Sequence, residues 1–261
     1  MSYRLLVPIL VVMLPAFFGN VATADQIQPH RAIYDFTLQD PASGGLVAVE
    51  GRMAYRWADQ CDGWAIDQQM ALRFIGAEGD GFDLATTYTS WESKDSTDFA
   101  FSMRSNSTGE AEQEFRGRAV QSAGGVRTVD YRRPDADPLD LPAGTLFPTE
   151  HTLETLNRAA AGEFLFSALM FDGSDAEGLT QVDATILPAE PSAHPLAAGF
   201  AHQRWMVTLA FRTPNSQSAE PEYQMVLGMM SNGMVDSIVL DYGDFGVVGE
   251  LQELALLSAN C

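Results

Sequence analysis

The chain has 261 residues, of which 35 are acidic and only 15 are lysine or arginine, so its formal net charge is −20. An apolar fraction of 46% is ordinary for a folded protein and too high for a disordered one. Nucleic acids and anionic membrane surfaces repel a strongly acidic protein, so the charge argues against both as partners.

The first 24 residues have the pattern of a secretory signal peptide. Arg4 supplies a positive charge, an apolar run extends from Leu5 to Phe18, and Ala22-Thr23-Ala24 fits a small-x-small cleavage site. The run contains two prolines and is shorter than the ~20 residues that a membrane-spanning helix needs. We therefore expect residues 25–261 to form a single periplasmic domain without stable membrane insertion.

Alternation of apolar and polar residues with a period of two predicts half-buried strands in the N-terminal half. Val47 to Trp57 and Trp64 to Phe74 alternate most regularly, and Gln60 to Gly63 is the turn between them. Glu110 to Val120 carries five charged residues, which is typical of an exposed strand at the edge of a sheet. Shorter alternating segments predict further strands at 32–38, 82–88, 99–103 and 126–131.

One segment of the C-terminal half, Thr149 to Ala161, predicts a helix, because its leucines have helical spacing. Thr149 or Thr152 is the expected N-cap, and Gly162 is the expected stop. Many short strands separated by turns predict a mostly β, antiparallel fold, which could be a barrel, a sandwich or a curved sheet. The strands expected in this half lie at 164–171, 179–187, 204–212, 222–227, 234–242 and 245–257.

The two cysteines, Cys61 and the terminal Cys261, favour a disulfide, because an exported compartment is oxidising and the cysteine count is even. Closing so long a loop contributes about 5 kcal/mol in the chain-entropy model. A reactive thiol or a redox pair remains the alternative. Redox pairs more often have the Cys-x-x-Cys spacing, which is absent from this sequence.

No established catalytic or zinc-binding motif occurs in the sequence, so we expect no catalytic residue, no cofactor and no metal site. His30 and His151 are expected at the surface or as capping groups. Glu150 and His151 could act as an acid–base pair only if the fold brought a third group near them. The turn from Asp172 to Glu177 could hold calcium weakly through its oxygens, but an ordinary polar turn is the simpler interpretation.

Several ordered segments of the chain resemble those of the EipB-like cell-envelope integrity proteins, a periplasmic family also described as a domain of unknown function. The resemblance covers essentially the whole chain after the signal peptide, and the set of motifs is more specific than any one of them. The segments are Pro29-His30-Arg31-Ala32-x-Tyr34-Asp35, Gly51-Arg52-Met53-x-Tyr55, Cys61-Asp62-Gly63-Trp64, Leu141-Pro142-x-Gly144-Thr145-Leu146-Phe147-Pro148-Thr149-x-His151 and Phe171-Asp172-Gly173-Ser174.

The resemblance implies a β-spiral, in which one curved antiparallel sheet of about fourteen strands wraps a helix. Such a fold is similar to that of the periplasmic lipoprotein carriers. In the family a disulfide joins an early Cys-Asp-Gly turn to the C-terminus, which corresponds here to Cys61 and Cys261. The implied role is to maintain the integrity of the cell envelope under stress, without enzymatic activity.

The leading functional hypothesis is therefore a non-enzymatic periplasmic protein that supports the envelope by binding an envelope protein, a lipid or a glycan. A hydrolase of envelope glycans is an alternative. It would need polar groups such as Asp172, Asp175 and His151 to converge in a cleft.

A second alternative is a carrier of lipid or lipoprotein acyl chains. It would need an open apolar cavity lined by residues such as Met53, Tyr55, Trp64 and Phe74. A packed core is the simpler explanation for these apolar faces, so the presence of a cavity discriminates between the two.

Overall fold

A computed structural model describes residues 27–39, 45–175, 178–200, 203–218 and 220–258 of the protein. The predicted signal peptide and Cys261 lie outside these described residues. Within them, no helix is long and apolar enough to cross a membrane.

The described residues form one antiparallel sheet of fourteen strands and a single helix, α1 (Pro148–Ala160). The predicted mostly β fold is thereby confirmed. The strands are β1 (His30–Leu38), β2 (Leu46–Asp59), β3 (Gly63–Gly76), β4 (Gly81–Ser93), β5 (Asp98–Ser107), β6 (Gln113–Gln121), β7 (Arg127–Arg133), β8 (Leu139–Asp140), β9 (Leu165–Phe171), β10 (Leu179–Ala189), β11 (Arg204–Arg212), β12 (Tyr223–Met230), β13 (Val235–Asp241) and β14 (Gly246–Leu256).

Two meanders, β1 to β8 and β9 to β14, are joined into this sheet where β1 pairs with β14. The edge strands are β8 and β9. Beyond β8, Leu141 donates its N–H to the carbonyl of Arg127 at 2.8 Å, and Leu146 forms a parallel bridge to Met170 of β9. The segment between Leu141 and Leu146 thus connects the two edges and curls the sheet around its interior.

The predicted edge position of the segment Glu110 to Val120 is wrong. Its strand, β6, pairs with both β5 and β7. Its charges are explained by the solvent-facing surface of the sheet, where Arg118 forms an ion pair with Asp98 on β5. Charge alone therefore marked an exposed face and not an unpaired edge.

The alternation of β1 places Ala32, Tyr34 and Phe36 in the interior, where each is at most 2% exposed. Phe36 packs against β14 at Gly249, where a Cβ atom would lie 2.8 Å from the phenylalanine ring. A glycine is needed there because any side chain would displace the ring. Because Gly249 has no side chain, β1 can carry a large aromatic side chain where it pairs with β14.

A second glycine allows an ion pair to span three strands. Arg204 of β11 crosses over Gly228 of β12 and donates two hydrogen bonds, of 2.8 and 2.9 Å, to Asp236 of β13. Burial alone would raise the pKa of the Asp236 carboxyl, but the hydrogen bonds from Arg204 and Ser192 hold it below its usual value. The pair therefore ties β11 to β13 while both groups are charged.

Helix α1 begins with Pro148, whose fixed φ suits the first helical position. It ends at Ala160, and the expected stop, Gly162, follows two residues later with a φ of 78°. The predicted N-cap at Thr149 is wrong. Phe147 occupies the cap position, and the Glu150 carboxylate accepts its N–H at 3.2 Å. Thr152 instead bonds to the Pro148 carbonyl within the first turn.

The described part of the chain forms two apolar clusters in the interior. The larger lies between the two meanders and takes in Leu156 and Ala159 of α1. The smaller lies under β5 to β7, and Phe147 joins it from the residue before the helix. Since α1 contributes to the larger cluster and the residue before it to the smaller, the helix is held inside the curve of the sheet.

Candidate functional site

An apolar cavity of about 390 Å³ lies on the concave side of the sheet, between the first three strands and strands β12 and β13. Thr152 of α1 borders it. Four methionines and four tyrosines dominate its wall. They are Met53, Met70, Met225, Met229, Tyr34, Tyr55, Tyr223 and Tyr242.

The chemistry of the wall suits a flexible apolar ligand. Methionine side chains are unbranched and polarizable, and they adapt to irregular apolar surfaces. Among the described residues, no side chain that borders the cavity carries a permanent charge. His30, which is 1% exposed, is kept neutral near pH 7 because burial lowers its pKa, against the effect of its hydrogen bond to the Gln28 carbonyl.

One polar group of the wall has no partner. The indole Nε1 of Trp57 is buried and makes no hydrogen bond in the part of the chain that the structure describes. By contrast, the Tyr34 hydroxyl donates to the Val235 carbonyl at 2.7 Å. A buried donor without an acceptor costs free energy, so Trp57 is a destabilising feature of the wall.

An arc of aromatic rings extends from the cavity wall to the surface. Tyr223 stacks on Phe211 with ring centroids 4.3 Å apart, and Tyr242 stacks on Phe245 at 5.1 Å. Tyr223 and Tyr242 border the cavity, and Tyr242 is 40% exposed. Tyr242 therefore lies where the cavity wall meets solvent.

The structure places the expected lining residues in two groups. Met53 and Tyr55 border the cavity, whereas Trp64 and Phe74 do not. Trp64 packs edge-on against Trp57 and lies under the Lys94 ammonium. Phe74 belongs to the larger apolar cluster and stacks on the partly exposed Phe82.

The contribution of β12 to the cavity was missed. Its residues Tyr223, Met225, Leu227 and Met229 follow the period-two pattern of a half-buried strand. That signal locates a strand but does not say which other strand its apolar face meets. The pairing of β1 with β14 decides this, because it folds the second meander over the first.

A polar cluster holds the start of α1. Glu92 of β4 is 2% exposed, and its carboxylate accepts the N–H groups of Thr149 and Glu150 at 2.8 and 2.9 Å. Burial raises the pKa of Glu92 to about 7, although the N–H donors act in the opposite direction. Arg127 of β7 donates to Glu150 at 2.8 Å. These contacts join strands β4 and β7 to the helix, and they fix its position next to the cavity.

The residues that a hydrolase would need do not converge. His151 is buried, its Nε2 atom has no partner among the described residues, and burial lowers its pKa to about 4. The charges of Asp172 and Asp175 act instead on tyrosines, among them Tyr131 and Tyr223. The Glu150 carboxylate binds Arg127, and in the described ranges no third group is seen to join Glu150 with His151.

The expected surface positions of two histidines are wrong, because His30 and His151 are both buried. His194 lies in a loop, where its ring accepts the Leu196 N–H at 3.3 Å. In the turn considered for calcium, the carboxylates of Asp172 and Asp175 accept N–H groups of that same turn. The described residues contain no group of three metal-binding side chains, and Glu177 lies outside them.

The turn that carries Cys61 lies near the place where the C-terminal strand ends. His30 pairs with Trp57 of β2 on one side and with Leu256 of β14 on the other. Neighbouring strands are about 4.8 Å apart, so these two ends approach within about 10 Å. Cys61 lies four residues after Trp57, and Cys261 lies five residues after Leu256. Segments of this length are long enough for the two cysteines to meet.

The pairing of Cys61 with Cys261 remains a prediction, since Cys261 is not described. We expect mass spectrometry of non-reduced peptides to find the two joined. Cys61→Ser should then lower the free energy of unfolding by about 2–5 kcal/mol, and a reductant should destabilise the wild type but not the variant. Free thiols at both positions would contradict the prediction.

The fold and the cavity together define a class of protein, a single curved antiparallel sheet wrapped around a helix and an apolar interior site. A model of the EipB-like family matches residues 21–258, and the chain belongs to that family.

A curated relative, the cell envelope integrity protein EipB of Brucella abortus (strain 2308), is 31% identical over 256 residues. The match covers 94% of this chain and 90% of the relative. The crystal structure of a β-barrel-like protein of the domain of unknown function DUF1849 from Brucella abortus superposes with a TM-score of 0.79 at 28% identity. That match covers 89% of this chain and 99% of the other. The name of the curated relative connects the family with envelope integrity.

Proposed function

We propose that this protein acts in the periplasm as a non-enzymatic envelope-integrity factor that binds an apolar chain of an envelope component in its interior cavity. The observation that carries the proposal is the cavity lined by methionines and tyrosines, which reaches solvent at Tyr242. It favours the acyl-carrier hypothesis over the packed core.

The size and chemistry of the cavity support a single acyl chain as the occupant. Its volume of about 390 Å³ falls in the range of small-molecule sites, about 300–1,000 Å³. Each methylene that leaves water for such a site contributes about 0.8 kcal/mol. Among the described residues no charged side chain borders the cavity, which disfavours an ionic ligand inside it, since a buried charge needs a partner of opposite charge.

The experiment is complementation of a gene deletion. Loss of the gene should sensitise cells to detergents and to antibiotics that act on the envelope, and the wild-type gene should restore resistance. Met225→Trp fills the cavity from β12 and should fail to restore it. Val226→Trp adds the same ring on the opposite face of the same strand and should restore it.

Two results would contradict the proposal. One is unchanged sensitivity of the deletion strain across such a panel. The other is full restoration of resistance by Met225→Trp, with the variant present in the periplasm at the level of the wild type. Binding of a ligand in the cavity could not then be necessary for the role.

A further inference from the structure

The two edges of the sheet are protected very differently. Edge strands of soluble proteins are commonly short, charged or interrupted by proline, because an exposed row of backbone N–H and C=O groups can pair with another chain. β8 follows this rule, with two residues, one of them Asp140, and Pro138 just before it. β9 does not follow it, since its seven residues, Leu-Phe-Ser-Ala-Leu-Met-Phe, include no charge and no proline.

The parallel bridge at Leu146 shows which backbone groups of β9 face outward. Leu146 donates its N–H to the Leu169 carbonyl at 2.8 Å and accepts the N–H of Phe171 at 3.0 Å. Because backbone groups alternate along a strand, those of Leu165 and Ser167 point to the same outer edge. Across the described ranges, these outward groups make no hydrogen bond. Half of the edge is therefore covered by the chain itself and half is open.

A groove runs beside the open half. It has a volume of about 680 Å³ and lies between β9, where Phe166 and Ser167 border it, and the α1 residues Leu153 and Asn157. Leu165 next to it is 72% exposed. Leu187 of the neighbouring strand β10 is 54% exposed. Leu165 pairs with Thr185, so Leu187, two positions further along β10, lies on the same face of the sheet as Leu165. An apolar surface next to unpaired backbone is an unusual combination on a free surface.

We infer that the open half of β9 binds an extended segment of a partner polypeptide, which adds to the sheet as a further strand. Only another extended backbone presents donors and acceptors at the spacing of the outward groups of Leu165 and Ser167. The segment would place apolar side chains on Leu165 and Leu187. A second copy of this chain is a poor occupant, because each copy carries a net charge of −20 and α1 walls the groove on one side.

The inference is tested with a library of random linear peptides selected on the purified protein. Selected peptides should bind the wild type and lose at least about tenfold in affinity with Ser167→Pro, which removes one edge N–H at a position where a proline is tolerated. Ser167→Ala is the matched control. It loses the same hydroxyl, with its bonds to Asp183 and Gln181, but keeps the N–H and should bind as the wild type does.

A second measurement applies even if Ser167→Pro does not fold. Methylating the backbone nitrogens of a bound peptide one at a time should weaken binding at every second position, because alternate N–H groups face β9. A library without binders, equal effects of the two Ser167 variants, or losses without alternation would each overturn the inference. So would wild-type dimers, seen by sedimentation, that Ser167→Pro dissociates, since they would assign this edge to a second copy. None of these outcomes depends on whether the cavity binds an acyl chain.

Discussion

Replacing Phe147 with alanine is expected to lower the free energy of unfolding by about 3–5 kcal/mol, the range for removing a fully buried phenylalanine. Phe147 has no exposed surface, stacks on Phe99 with ring centroids 4.8 Å apart, and lies under the Arg127 guanidinium at 4.3 Å. It also begins α1. Its loss would therefore leave a cavity in the smaller apolar cluster and loosen the helix.

Urea denaturation measures the effect, and Phe82→Ala is the control. Phe82 also stacks on a buried phenylalanine, Phe74, at 4.4 Å, but it is 41% exposed. Its removal should cost less than about 1.5 kcal/mol. Equal losses for the two variants would show that the smaller cluster does not anchor the helix.

Glu92→Gln is expected to destabilise the protein by about 1–3 kcal/mol at pH 4.5. The folded-state carboxyl is protonated there, but both of its oxygens keep lone pairs, whereas an amide nitrogen cannot accept the second of the two helix N–H groups. The oxygens of Glu92 accept both, from Thr149 and Glu150. Glu154→Gln, on the solvent-facing side of the same helix with a partly exposed partner in Arg158, is the control and should change stability by less than about 0.5 kcal/mol.

The pH dependence of this effect has a definite sign. Burial raises the pKa of Glu92 from 4.5 to about 7 in the folded protein. A carboxyl whose pKa is raised on folding binds its proton more tightly in the native state, so its contribution to stability is complete below pH 4.5 and is lost as the pH rises toward 7. Glu92→Gln cannot titrate. The difference in the free energy of unfolding between wild type and variant should therefore narrow from pH 4.5 to pH 7. A constant difference over that range would contradict the raised pKa of Glu92.

Local patterns predicted most of the elements, because alternation and turn residues act over a few positions. The strands around Val47 to Trp57 and Trp64 to Phe74 appear as β2 and β3, with Cys61 in the turn between them. The helix lies within one residue of its expected bounds at each end. These features depend on the period of the sequence and on glycines such as Gly162, both of which can be read without knowledge of the fold.

Features that depend on distant partners could not be predicted in this way. Thr149 is a good N-cap residue by type, yet the free N–H groups of the helix are taken by Glu92, which is 57 positions away. The cavity depends on β12 facing β2, a consequence of the β1–β14 pairing. The charged strand β6 is internal because β7 and β8 follow it in the sheet.

Direct binding of a long-chain fatty acid to the purified protein is the measurement that tests the central claim most directly. The fluorescence of Trp57, followed in a variant in which phenylalanine replaces the other three tryptophans, reports on the cavity wall. We expect a saturable fluorescence change with one fatty acid bound per chain. Measured by calorimetry, the affinity for the fatty acid should fall at least about tenfold in Met225→Trp and stay unchanged in Val226→Trp. No binding to the wild type, or equal binding to the two tryptophan variants, would contradict the account.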